Sequence, residues 1–121
     1  MTHLKGLVRI TFGLLFVAIG VLHFVRPAPF VAIVPPYLPW PTALVLVSGA
    51  AEIVFGALLL FRTTRVVGAW GLILLLVAVY PANIHMALNP DLYPSMSPAV
   101  LWARLPLQFV LIGGAYWLRR G

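Results

Sequence analysis

Four apolar runs constrain this chain more than any other feature, each close to the ~20 residues needed to cross ~30 Å of hydrocarbon. They extend from about Leu7 to Val25, Thr42 to Phe61, Val66 to Leu88 and Ala99 to Leu118. Backbone inside hydrocarbon has to hydrogen-bond to itself, so runs of this length are helices rather than open strands. Composition agrees, with 63% of the 121 residues hydrophobic and 8% charged, against about a quarter charged in soluble domains. A soluble domain this small has too little interior to hide so much apolar surface. The expected fold class is all-α: a single integral membrane domain over 1–121, built as a four-helix bundle with the lipid bilayer as its main partner.

The connections carry the topology. Arg62-Thr63-Thr64-Arg65 is a tight turn, whereas the segments 27–41 and 89–98 are longer and rich in proline and aromatic residues. Lys5, Arg9, Arg62, Arg65, Arg119 and Arg120 fall on one side of the four runs, and only Arg26 and Arg104 lie toward the other. The positive-inside rule then puts both termini in the cytoplasm and the two longer loops outside, as in a multi-pass protein of the cell inner (plasma) membrane. Tyr37, Trp40, Tyr93 and Trp102 fall at interfacial depth, where an aromatic belt belongs. The net charge of +6 is thereby a topology signal. No basic patch with interleaved aromatics exists to follow a phosphate backbone, so no nucleic-acid partner is expected. Lys5, Arg9 and the run from Ile10 to Leu22 also have the outline of a signal peptide, but no small-x-small cleavage site follows, and Phe24-Val25-Arg26-Pro27 continues instead.

Gly6, Gly13 and Gly20 recur every seven residues in the first run, and Gly49 and Gly56 do so in the second. Seven residues is nearly two helical turns, so each set forms a stripe where a neighbouring backbone can come close. Pro81 and Pro106 lie inside the third and fourth runs, and each removes the donor for a carbonyl four residues back, which favours a kink with a polar lining. A faint internal echo links His23, Pro27 and the helix opening at Pro41 with His85, Pro90 and the opening at Pro98. It is compatible with two like-oriented helical hairpins.

Function is expected where polar residues lie inside these runs, because each needs a partner, a cavity or a task. Glu52 lies ten residues after Thr42, roughly 15 Å deep at the helical rise and close to the midplane. Ser48 sits one turn away on the same face. Arg104 and Gln108 share a face of the last helix, at roughly 8 Å and 14 Å from its outer end. Depth therefore predicts an ion pair between Glu52 and Arg104 across the bundle. His23 is about a turn inside the outer end of the first helix, and Asn83 and His85 occupy the outer end of the third. An ideal helix points Asn83 and His85 about 200° apart, so both face the bundle only if Pro81 distorts the backbone.

Such a set can simply fix helix register. It can also hydrogen-bond the carbonyl or hydroxyl of a quinone headgroup or small aromatic molecule, with the carboxyl as a proton donor or acceptor. Glu52, Arg104, Gln108, Asn83, His23, Ser48 and His85 are the candidate ligand-binding residues; the catalytic residues stay unassigned. His23, His85 and Glu52 lack a local ligand spacing, so no metal site is expected. No nucleophile adjoins a base. Without cysteine the chain has no thiol chemistry of its own, and no site for a covalently bound cofactor is visible.

Five strings in order, Gly20-Val21-Leu22-His23-Phe24, Pro35-Pro36-Tyr37-Leu38-Pro39, Ser48-Gly49-Ala50-Ala51-Glu52, Tyr80-Pro81-Ala82-Asn83-Ile84-His85-Met86-Ala87 and Arg104-Leu105-Pro106-Leu107-Gln108, resemble the DoxX-like family of small bacterial four-helix membrane proteins. The resemblance covers nearly the whole chain. It implies an accessory or quinone-binding subunit of a membrane redox system, since the family is named for a subunit of a thiosulfate:quinone oxidoreductase. Such a subunit needs a partner holding the redox cofactor; a homo-oligomer is the other expected assembly. Thiol redox, which some related four-helix proteins use, does not carry over to a chain without cysteine. The competing expectations are a non-catalytic assembly or scaffold protein with a structural polar cluster, and a small transporter that would dimerise to form a path.

Overall fold

The computed structural model describes residues 2–120. Its helices are α1 (Thr2–Val25), α2 (Pro27–Ala32), α3 (Pro41–Leu60), α4 (Arg65–Leu88) and α5 (Pro98–Leu118), with one 3-10 turn at Pro90–Leu92. Four of them, α1, α3, α4 and α5, are long and apolar enough to cross a membrane, and at most 28% of any span's apolar window is buried within the protein. Leu14, Val47, Val54, Leu74, Phe109 and Val110 are each at least half exposed. Lipid covers such a surface in a multi-pass membrane protein; water would not.

Helix starts follow proline chemistry. Pro41 opens α3 and Pro98 opens α5, positions where the missing N–H costs nothing and the fixed φ suits a helix. Ser97 caps α5 by accepting from the Val100 N–H at 3.3 Å. Pro27 does the same for α2, so the segment 27–41 is not all loop. Trp40, between Pro39 and Pro41, takes a left-handed backbone (φ 50°) at the start of α3. The first helix begins at Thr2 rather than near Leu7, because its basic residues are engaged. Lys5 Nζ lies 5.3 Å from the centre of the Trp117 ring, and Arg9 donates to the carbonyls of Leu118 (3.2 Å) and Arg120 (3.0 Å). That arginine satisfies the open carbonyls at the end of α5.

Two helix pairs make up the molecule. Helices α1 and α3 touch backbone to backbone through the expected glycines: a Cβ on Gly20 would lie 2.6 Å from the Gly49 carbonyl oxygen, and one on Gly13 would lie 2.8 Å from that of Gly56. Gly6 takes no part, with nothing within 4 Å of its Cβ position, because antiparallel pairing carries it beyond the end of α3. Helices α4 and α5 pack along their length, from Met86, Ala87 and Leu101 at one end to Ala69, Leu72, Ala115 and Leu118 at the other. Both run through Pro81 and Pro106 without a break.

The pairs join at the basic end. Gly68 of α4 sits against the Leu59 backbone and Gly71 against the Phe55 ring of α3. Phe16, Leu59, Leu72, Leu76 and Leu118 close a core there. Toward the opposite end the same helices line a cavity instead of packing on one another.

Candidate functional site

The cavity has a volume of about 630 Å³ and lies between the two pairs, within the size range of small-molecule sites (about 300–1,000 Å³). Most of its wall is apolar, from Phe16, Ile19, Val45 and Leu76 to Pro35 and Leu38. Six of the seven candidate residues line it: His23, Ser48 and Glu52 from one pair, Asn83, Arg104 and Gln108 from the other.

The α1–α3 wall is organised by glycine. The His23 Cβ packs 2.5 Å from where a Gly49 Cβ would be, so only glycine lets the imidazole cross over α3. One turn further along α3, Glu52 Oε2 lies 3.3 Å from His23 Nε2. His23 Nδ1 is 2.7 Å from the Ile19 carbonyl oxygen. A carbonyl can only accept, so Nδ1 carries a proton and Nε2 is the atom turned to the carboxyl. The imidazole stacks on Phe30 of α2, with centres 3.9 Å apart. Although close, the His23–Glu52 contact is not aligned as a hydrogen bond, and Oε2 is buried without a hydrogen-bond partner. Proximity alone leaves the oxygen's lone pairs unused. Ser48 turns its hydroxyl to the Val45 carbonyl at 3.0 Å and does not reach Glu52.

On the α4–α5 wall the polar groups form a chain. Asn83 Nδ2 donates to Gln108 Oε1 at 2.7 Å, and Gln108 Nε2 donates to the Leu76 carbonyl at 2.8 Å. Leu76 precedes Val77, whose carbonyl Pro81 leaves without its helical donor. Arg104 Nε donates to Asn83 Oδ1 at 3.2 Å, and its Nη1 lies 3.9 Å from Met96 Sδ. Both amides are thereby used within the protein, and each is buried. The guanidinium keeps donors to spare.

The expected Glu52–Arg104 ion pair does not form: no such bridge occurs among the described residues. Depth along the helices was legible, but the neighbour was not. Glycine contact brings α1 against α3 and delivers His23 to Glu52, while Arg104 stands across the cavity. His85 is the other correction, since it does not line the cavity. With α4 continuous through Pro81, the 200° between Asn83 and His85 holds, and His85 faces the loops. Its Nδ1 is 3.2 Å from the Tyr93 hydroxyl, and the Tyr37 ring meets it edge-on at 5.3 Å. Burial, then the neighbouring Tyr37 phenol, push the Tyr93 hydroxyl up, which keeps it protonated beside His85. Sequence reasoning singled out polar residues alone, and so it missed Phe30, Pro35 and Leu38. The proline at the first position of α2 was the one signal that this segment folds back over the site.

These features define an all-helical protein with four helices long and apolar enough to cross a membrane and a mostly apolar cavity, edged by polar side chains, between its two helix pairs. Residues 12–119 match the family described as a domain of unknown function, DUF8561, and the chain belongs to that family. No curated protein and no solved structure matches it.

Proposed function

We propose that this protein is a DoxX-like, multi-pass protein of the cell inner membrane with both termini in the cytoplasm, whose cavity binds a quinone headgroup or a small aromatic molecule of that class. It serves as an accessory subunit, and a separate partner holds the redox cofactor. One observation carries the reading: Glu52 and Arg104 face one mostly apolar cavity from opposite walls without pairing to each other. A cation and an acid left apart in low dielectric are costly. A flat ring with oxygens at both ends relieves both, one oxygen accepting from Arg104 and the other meeting the side chains of His23 and Glu52. The apolar walls take the ring itself.

The test is titration of the detergent-purified protein with a short-chain quinone by equilibrium dialysis. Hydrogen bonds to charged groups contribute about 1.5–3 kcal/mol, so Glu52→Gln and Arg104→Gln should each weaken binding by roughly tenfold or more. Wild-type protein that binds no quinone sinks the proposal.

A structural role has its own support in the second wall. The Asn83–Gln108–Leu76 chain is satisfied without any ligand, as in a clamp that fixes α4 against α5. If Arg104→Gln and Glu52→Gln alter melting temperature alone, the scaffold reading takes over.

A further inference from the structure

Charge is divided between the two ends of this bundle. Lys5, Arg9, Arg62, Arg65, Arg119 and Arg120 gather at the end where α1 starts and α5 stops, whereas Asp91 lies at the opposite end and Glu52 near the middle of α3. No Asp or Glu side chain lies among these basic residues. Some of its cations are occupied: Arg9 holds the α5 carbonyls, and Arg119 stacks on Tyr116 at 3.7 Å. Those on the α3–α4 turn are not. Arg62 is exposed, and Arg65 Nε is buried without a hydrogen-bond partner.

The start of α4 is open as well. Thr64 occupies the capping position but gives its hydroxyl to the Leu58 carbonyl at 2.8 Å, so no side chain accepts from the first turn of the helix. Unpaired N–H groups beside two arginines favour an anion. The neighbouring surface says which anion. Val67, Trp70 and Leu74, at helical spacing on one face of α4, are 58%, 49% and 69% exposed. A free phosphate has no use for an apolar stripe; a phospholipid has.

We infer that the basic end binds one anionic phospholipid, with its phosphodiester on Arg62, Arg65 and the start of α4 and its acyl chains along Val67, Trp70 and Leu74. The inference rests on the reading of the chain as membrane-spanning and not on the ligand of the cavity. Alkaline carbonate extraction of membranes tests the spanning on its own.

Native mass spectrometry of the full chain in a neutral detergent, with phosphatidylglycerol or phosphatidylcholine added, tests the site. Phosphatidylglycerol should give a discrete one-lipid adduct where phosphatidylcholine gives none. The pair Arg62→Gln and Arg65→Gln should weaken that adduct by roughly tenfold or more, as expected from losing two basic contacts near a lipid phosphate. Arg62→Gln alone, at an exposed position, should weaken it by severalfold without changing elution or lipid-free melting temperature. Arg26→Gln at the other end and Glu52→Gln in the cavity should leave it unchanged. Equal binding of both lipids, an equal loss with Arg26→Gln, or displacement by equimolar inorganic phosphate would each overturn the inference.

Discussion

Gln108 uses both ends of its amide, accepting from Asn83 and donating to a backbone carbonyl of α4. Replacing it by leucine leaves the buried Asn83 amide without its acceptor, while the Leu76 carbonyl keeps its helical donor. That costs about 1–3 kcal/mol for an unmet buried group, toward the low end if the membrane-embedded state finds other partners. The expected outcome for Gln108→Leu is a lower melting temperature in detergent, and for Gln108→Leu with Asn83→Leu a loss smaller than the sum of the two, because they share one bond. Glu52 is the opposite kind of residue. It touches His23 without an aligned hydrogen bond, so Glu52→Gln should cost little stability while it weakens ligand binding. The identity of these residues was legible in the sequence, since polar groups inside apolar runs announce themselves. Their pairing was not: a rise per residue gives depth, whereas choosing His23 or Arg104 as the partner of Glu52 requires knowing which helices touch.

At the scale of elements, glycine spacing decides which helices touch. Gly13 and Gly20 against Gly56 and Gly49 draw α1 onto α3, and the same contact swings His23 toward the cavity. Gly20→Leu should therefore do two things. It forces the pair apart at an overpacking cost of at least about 1–3 kcal/mol, and it moves His23 away from Glu52. Gly113, with nothing within 4 Å of its Cβ position, is the control. Gly113→Ala should be neutral or stabilise by up to about 1 kcal/mol through helix propensity, and thermal unfolding of the two variants side by side checks both. The four long apolar helices stood in the sequence to within about five residues, because hydropathy and proline positions mark them. Helix α2 did not, since prolines at 27 and 29 read as loop until the first of them is seen to occupy the opening position of a helix. The run of α1 down to Thr2 was hidden for a related reason: basic residues end a hydropathy window but do not end a helix.

At the scale of the whole molecule, two packed pairs meet at a basic end and stand apart at the other, with acid and base on facing walls. A cavity is made by what fails to pack, and no single residue encodes it. Ala82 of α4 lines the space and is engaged in none of its polar contacts. Ala82→Trp puts an indole into the cavity while leaving every polar side chain of its walls unsubstituted. A ligand seated in this space, and not on the outer surface, is lost when the space is filled. Quinone titration of Ala82→Trp beside the wild type, with melting temperature as the check on folding, tests it most directly. The expected result is a folded variant whose quinone affinity falls by at least about tenfold; a folded variant that binds as tightly as the wild type would rule out the cavity as the binding site.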